Sequence, residues 1–335
     1  MKTEHRFNYE WTLKDANFTK DKGIVFSCFA CGGGSTMGYK LAGFDVLGCN
    51  EIDPKMIEAY KANHNPKYSF LESITTFAKR KDLPKELYNL DILDGSPPCS
   101  SFSMAGNREK DWGKEKKFRE GQAEQVLDNL FFDFIDLAKE LQPKVVVAEN
   151  VSGLMMGAAK EYVKKIYVAF QEAGYELKIE PYLLDASTMG VPQRRKRVFF
   201  IALRKDLAPK FMESVDMFQT APKLDLEFKE REIPIKEFAK GQPKKETQNY
   251  SKNRFGDVML DVNKASNTIA TDINRYWLDE NTLIDKNTVS LIGSYPKDYN
   301  HLDFNNPQYL IGMSVPPVMT AQIATEIFNQ WISKL

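Results

Sequence analysis

Short apolar runs alternate with amphipathic stretches along the first 205 residues of the chain. The runs "IVFSCF" from residue 24, "DVLGCN" from 45, "LDIL" from 90, "KVVVAE" from 144, "YELKIEPYLL" from 175 and "RVFFIAL" from 197 are strand-length and bounded by turn residues or charge. Between them, "PKMIEAYKANH" from 54, "EQVLDNLFFDFIDLAKEL" from 124 and "AAKEYVKKIYVAFQEAG" from 158 carry apolar residues at helical spacing, the last closing on Gly174. Strand and helix in alternation predict an α/β fold, a doubly wound and mostly parallel sheet with its ligand crevice beyond the carboxyl ends of the strands. From residue 210 to about 300 the chain is polar, rich in Lys, Asn, Asp and Pro, and lacks that period. The helical pattern returns in "VMTAQIATEIFNQWISKL", where Met319, Ile323, Ile327 and Trp331 recur every four residues on one face. These shifts divide the chain into an N-terminal extension (1–22), a large domain (23–205), a second, smaller region (206–304) and a C-terminal segment (305–335) whose helix returns to the large domain.

Composition bounds the function classes. A chain of 335 residues exceeds one core, since single cores stop growing near ~250–300 residues. Hydrophobic content of 42% with 27% charged residues is ordinary for a globular protein. No apolar run approaches the ~20 residues that cross a bilayer, and the opening "MKTEHRFNYEWTLKDANFTKDKG" carries charge and aromatics where an export signal has an apolar core. A soluble, cytoplasmic protein with no membrane partner is the expectation. The four cysteines, Cys28, Cys31, Cys49 and Cys99, are too few and too scattered for a disulfide framework. Cys28 and Cys31 form a C-x-x-C, but no second pair completes a zinc site, so no metal is expected. The 46 basic and 46 acidic side chains cancel, which leaves any polyanion contact to local patches: "KEKKFR" from 114, "QRRKR" from 193 and "KKETQNYSKNR" from 244. Each patch reads equally well as a solvated face.

Four stretches carry candidate chemistry. In "IVFSCFACGGGSTMGYKLAGFDVLGCNEIDP" a strand runs into three consecutive glycines and a helix, which lets backbone approach a ligand closely. Glu51, nineteen residues beyond Gly32, ends the next strand where an α/β nucleotide fold places a ribose-binding carboxylate. A nicotinamide, a flavin or adenosyl-methionine would each suit. In "LDILDGSPPCSSFS", Cys99 follows a strand end, and Pro97 and Pro98 hold it in a rigid turn on the same crevice face. It is either incidental or a nucleophile, and a nucleophile needs activation because little of a free thiol is ionised at neutral pH. In "KVVVAENVSGL", Glu149 ends a buried strand at that crevice, a candidate acid or base whose proton affinity desolvation would raise. Finally, "MGVPQRRKRVFFIAL" enters a strand with Arg195 and Arg197 on one face and Arg194 on the other, a pair suited to fixing an anion or a carbonyl oxygen.

Taken together, the glycine turn, "SPPCSSFS", "ENV", "QRRKR" and "GMSVPP" resemble, in order and spacing, the successive motifs of the cytosine-C5 DNA methyltransferase family of bacterial or phage type. The resemblance covers residues 23 to about 205 and 305 to 335. It departs from the family at Ser27, where an acid is usual, at Cys31, where glycine is usual, at Ser73 for an aspartate, at Ser100 for a glutamine and at Met313 for an asparagine.

The resemblance implies a Rossmann-like methyltransferase fold with a target-recognition region at 206–304, and S-adenosylmethionine as cofactor, leaving as S-adenosylhomocysteine. Family contacts to the cofactor carry over to Phe29, Ala30, Gly33, Gly34, Glu51, Ile52, Ser73, Ile74, Asp94, Pro98, Leu130, Ser314 and Val315. The implied catalytic set is Cys99, Glu149, Arg195 and Arg197. The cysteine adds to C6 of a cytosine flipped out of the duplex, Glu149 in its protonated form balances charge at N3, and the arginines hold O2 and the neighbouring phosphate. The charged stretch "SMAGNREKDWGKEKKFREGQ" is similar to the family's mobile loop over the extruded base. Implied partners are double-stranded DNA and, in a restriction-modification setting, a cognate endonuclease; the protein itself would be a monomer. A transfer-RNA cytosine-5 methyltransferase is the alternative within the fold. A non-catalytic binding module and an NAD-dependent dehydrogenase stand further off, because neither accounts for both Cys99 and "ENV".

Overall fold

The computed structural model describes residues 5–98, 115–116, 125–126, 129–157, 159–214, 220–239, 256–271, 275–279, 282–302 and 307–335. Its main sheet begins with β1 (Ile24–Cys28), β2 (Asp45–Glu51), β3 (Tyr68–Leu71) and β4 (Ile92–Gly95). A two-residue pair, β5 (Glu115–Lys116) with β6 (Gln125–Val126), follows; the sheet then resumes with β7 (Val145–Val151), β8 (Tyr175–Glu176) and β9 (Tyr182–Asp185). After β10 (Gln193–Arg194), the long strand β11 (Lys196–Arg204) completes it. The order is β3-β2-β1-β4-β7-β11-β8, with β9 also on β11. The first five are mutually parallel and β11 runs antiparallel to β7, β8 and β9, so the mostly parallel α/β sheet is as expected.

The helices are α1 (Gly34–Leu41), α2 (Pro54–His64), the short α3 (Ile74–Phe77), α4 (Leu130–Leu141), α5 (Ala159–Glu172), α6 (Lys286–Ile292), α7 (Gln308–Met313) and α8 (Pro317–Gln330). Local chemistry sets α2: Asp53 caps it by accepting from the amides of Lys55 and Met56, Pro54 occupies the first turn, and Asn65 closes it at φ 43°. Three elements differ from the sequence reading. The edge strand β3 was not anticipated, because its residues are half-exposed and lack an apolar run. The single run from Tyr175 divides into β8 and β9. The helix anticipated from residue 124 starts at Leu130.

Alternation along the strands fills both faces of the sheet. Val146 and Ala148 join Phe26, Leu93, Phe131, Phe134, Ile166 and Phe170 under α4 and α5. Val145 and Val147 face the other way, onto Phe199, Ile201, the α8 residues Met319, Ile323 and Ile327 and the Trp331 that caps that helix, the last four buried as their spacing predicts. A third core joins Met37 of α1 and Met56 of α2 to Ile235, Leu260, Ile269, Tyr295, Tyr299 and Leu310. The polar region contributes short pairs: β12 (Met212–Ser214) with β13 (Thr220–Pro222), β14 (Asp257–Met259) with β16 (Arg275–Trp277), and β15 (Ser266–Asn267) with β10. Residues of the N-terminal extension bind the 294–298 turn, with Trp11 Nε1 donating to Ser294 O at 2.9 Å and the amides of Leu13 and Lys14 donating to Asp298 at 2.7 and 3.0 Å.

Candidate active site and cofactor turn

Topology gathers the candidate residues at one edge. β1 and β4 are neighbours whose following segments diverge, the switch point at which open α/β sheets bind ligands. β7 lies beside β4 with Gly95 opposite Ala148, so Pro97 and Pro98 leave the sheet next to Glu149 and Asn150. Because β11 is antiparallel, its amino end reaches the same edge, with Arg197 opposite Val151. Three contacts result. Asn150 Nδ2 donates to Pro97 O at 3.0 Å and ties the chain entering Cys99 to the end of β7. Arg197 Nε meets Glu149 Oε1 at 2.9 Å, with the two side chains 15% and 11% exposed. Arg197 Nη1 donates to Lys196 O at 2.8 Å. Burial lowers the proton affinity of Arg197, and the Glu149 carboxylate opposes that shift.

Arg195 and Arg197 share the inner side and Arg194 is exposed, as alternation predicts, although the strand breaks at Arg195 between β10 and β11. Arg195 is buried, its Nη2 donates to Gly312 O at 2.8 Å, and its Nε has no hydrogen-bond partner among the described residues. Burial brings its pKa down to about 9. A cavity of about 520 Å³ opens beside these groups, lined by Ser152, Asp185, Arg194, Lys196, Arg197, Asn267 and Thr268, so the short strand β15 of the second region forms one wall. Cys99 lies outside the described residues.

The glycine turn between β1 and α1 holds unusual backbone. Phe29 and Cys31 take φ of 52° and 47°, and Gly33 takes 88°. Glu51, buried at the end of β2, accepts from the Cys31 amide at 2.7 Å through Oε2 and from the Ile52 and Asp53 amides at 2.8 and 2.9 Å through Oε1. Burial raises its pKa against the pull of those amides. Gly32 O accepts from Tyr299 OH at 2.6 Å and lies 3.3 Å from His64 Nε2. Gly33 and Gly34 are glycines for space as well: a Cβ would stand 2.1 Å from His64 Nε2 at the first and 2.4 Å from Val315 O at the second. Ser314 Oγ accepts from Tyr295 OH at 2.6 Å and donates to Leu310 O at 2.8 Å.

The remaining sequence candidates differ in burial. Ala30, Ile74 and Leu130 are buried, while Phe29, Ile52 and Pro98 are half-buried. Ser73 caps α3 and accepts from the Thr76 amide. Asp94 is buried, and its carboxylate is bound by the hydroxyls of Ser27, Ser35 and Tyr39.

A family model described as C-5 cytosine-specific DNA methylase matches residues 24–290. The chain belongs to that family. Among its relatives, the chain is 35% identical over 187 residues to the Type II methyltransferase M.NgoPII of Neisseria gonorrhoeae, covering 56% of this chain and 50% of the relative. It is 36% identical over 183 residues to the Type II methyltransferase M.FnuDI of Fusobacterium nucleatum, covering 55% and 47%. The aligned stretch therefore spans about half the length of these curated relatives. A solved structure described as a DNA modification methyltransferase encoded within an E. coli prophage superposes with a TM-score of 0.64 at 22% identity, covering 92% of this chain and 99% of that one, a likeness of fold.

The family uses S-adenosylmethionine as methyl donor, and the turn's donor set fits that group. Three amides engage Glu51, and a carboxylate offers about four acceptor positions, which leaves capacity on Oε2 for a ribose hydroxyl. Sequence reasoning missed the grip on Gly32 O. His64 lies at the end of α2, while Tyr299 comes from the polar region. In the structure the third hydrophobic core joins Met56 of α2 to Tyr299.

Proposed function

We propose that this methylase transfers a methyl group from S-adenosylmethionine to C5 of a cytosine in double-stranded DNA, through a transient bond from Cys99 to C6. The observation that carries the reading is the Asn150 bond to Pro97 O beside the Glu149–Arg197 pair, because it ties the chain that continues into Cys99 to an acid and a guanidinium at one strand edge. Cys99 Sγ adds to C6, and the electron pair displaced toward N3 is balanced by a proton from Glu149. Arg197 is near enough to Glu149 to hold both the acid and the O2 of the base, and Arg195 stiffens that wall through Gly312. When bound at the glycine turn, S-adenosylmethionine supplies the electrophilic methyl group that C5 accepts. Loss of the C5 proton to solvent and return of the N3 proton to Glu149 then break the C6–S bond, expel the Cys99 thiolate and restore the base's aromaticity. The target must leave the duplex first, at about a few kcal/mol of unstacking. A cavity partly walled by β15 supports a role for the second region in holding the substrate.

The test is methyl transfer from labelled S-adenosylmethionine to mixed-sequence duplex DNA, with transfer RNA as competitor. Methyl-cytosine in DNA is expected from the wild type, and Cys99→Ala should lose both turnover and covalent trapping on 5-fluorocytosine DNA. Trapping that survives in Cys99→Ala would sink the reading, and methylation confined to transfer RNA would replace its substrate.

A further inference from the structure

Ser27, next to last in β1, stands at a position where the resembled family carries an acid. In register with it on the neighbouring strand is Asp94 of β4. Asp94 Oδ2 accepts from Ser27 Oγ at 2.8 Å and from Ser35 Oγ at 2.7 Å, and Oδ1 accepts from Tyr39 OH at 3.1 Å. All four residues are buried. Ser27 precedes Phe29 by two residues and Ser35 follows Gly33 by two, so one carboxylate grips both ends of the glycine turn. Tyr39, one helical turn beyond Ser35, adds the direction of α1. The two serine hydroxyls are 3.4 Å apart and brace each other poorly without it.

The turn needs such a brace. Phe29 and Cys31 are non-glycine residues in the left-handed region, each at a cost that persists only where the surroundings over-determine the backbone. A carboxylate beside the first turns of α1 also matches the positive end of the helix.

We propose that Asp94 is a positioning residue for the cofactor turn: its carboxylate, carried on β4 in place of an acid on β1, fixes the end of β1 against α1 and so sets the shape of the Phe29–Gly34 segment that receives S-adenosylmethionine. The inference rests on the cofactor assignment above and assigns Asp94 no contact with the reacting atoms.

The experiment compares wild type, Asp94→Ser and the double variant Ser27→Asp/Asp94→Ser, which moves the carboxylate back to β1 within the same registered pair. Calorimetry reads affinity for S-adenosylhomocysteine, and steady-state assays on DNA read KM and kcat for the methyl donor. Asp94→Ser is expected to weaken binding about tenfold or more, the equivalent of one or two buried hydrogen bonds, and to raise KM by more than it lowers kcat. The double variant should recover most of that loss. Wild-type affinity in Asp94→Ser, or a double variant no better than the single, overturns the proposal. Should Asp94→Ser not fold, Ser35→Ala and Tyr39→Phe each delete one donor and keep the carboxylate; about threefold weaker binding in each is expected, and unchanged binding in both overturns it. A wild type that binds S-adenosylhomocysteine yet methylates no DNA refutes the proposed activity and leaves this comparison standing; one that binds none refutes both.

Discussion

Gly33→Ala tests whether the cofactor turn is packed as tightly as its geometry states. The residue sits at φ 88°, and an added Cβ would lie 2.1 Å from His64 Nε2, 2.5 Å from His64 Cδ2 and 3.1 Å from Tyr60 Cδ2. Holding an L-residue in the left-handed region costs about 1–2 kcal/mol. The His64 ring cannot simply withdraw, because it is buried edge-on to Tyr60 at 4.7 Å and lies against Gly32 O. Overpacking of that kind costs about 1–3 kcal/mol, and losing the Gly32 contact about 1 more. Urea denaturation should therefore show Gly33→Ala less stable by about 3–6 kcal/mol, a large fraction of the total for a domain. The decisive comparison is the double-mutant cycle with His64→Ala. With the ring gone only the backbone strain remains, so Gly33→Ala should cost about 1–2 kcal/mol in that background. A cost below about 1 kcal/mol in the wild-type background, or the same cost in both, would refute the clash as the reason for glycine.

Glu149→Ala removes the partner of a guanidinium that is only 15% exposed and should destabilise the fold by about 3 kcal/mol, whereas Glu149→Gln keeps an acceptor and should cost about 1 kcal/mol; both should lose turnover, and wild-type turnover in Glu149→Gln would end its role as the acid. Tyr299→Phe deletes the hydroxyl 2.6 Å from Gly32 O and is expected to lower stability by about 1–2 kcal/mol, with a matching loss of S-adenosylhomocysteine affinity by calorimetry. Burial raises the Asp94 pKa to about 6 from 3.8, against the pull of the Ser35, Ser27 and Tyr39 hydroxyls, so the folded state holds its proton more tightly than the unfolded chain. That contribution is full below about pH 4 and lost as pH rises through about 6, so Asp94→Asn should gain roughly 3 kcal/mol relative to wild type between pH 4 and 7, and parallel pH–stability curves would contradict it.

The sequence showed the sheet where burial is two-sided. "KVVVAE" and "RVFFIAL" fill both faces and announce themselves as unbroken apolar runs, while β3, half-exposed at the sheet's edge, has no such signature. Glu149 and Arg197 were legible because each belongs to a motif at a strand end, and the alternation that grouped Arg195 with Arg197 holds even across the break between β10 and β11. Asp94 was harder. The resemblance implies it as a cofactor contact; its carboxylate faces Ser27, Ser35 and Tyr39, and no periodic pattern links position 94 with 27, 35 and 39. Strand order alone makes Ser27 and Asp94 neighbours, and strand order is a property of long-range pairing that local hydrophobicity does not encode. His64 likewise reads as the polar end of a helix until the glycine turn is laid over it.

The cofactor turn is held from two directions, and that bears on how its two ligands would influence each other. From the sheet side, Asp94 and Glu51 bind it through hydroxyls and amides. From the polar region, Tyr299 grips Gly32 O, and the turn carrying Tyr299 is in turn held by Trp11, Leu13 and Lys14 of the N-terminal extension. Ser266 and Asn267, in that same polar region, pair with Gln193 and Arg194 at the wall of the cavity beside Arg197. A ligand that shifts this region must shift Tyr299 or strain its bond to Gly32, and a cofactor that orders Gly32 must favour one position of Tyr299. Coupling between binding sites is reciprocal, so a change in cofactor affinity caused by DNA must equal the change in DNA affinity caused by cofactor. Tyr299→Phe, which cuts that link, should bring both changes toward unity when each ligand's affinity is measured by calorimetry with and without the other; a coupling as large as the wild type's would refute the connection through Gly32.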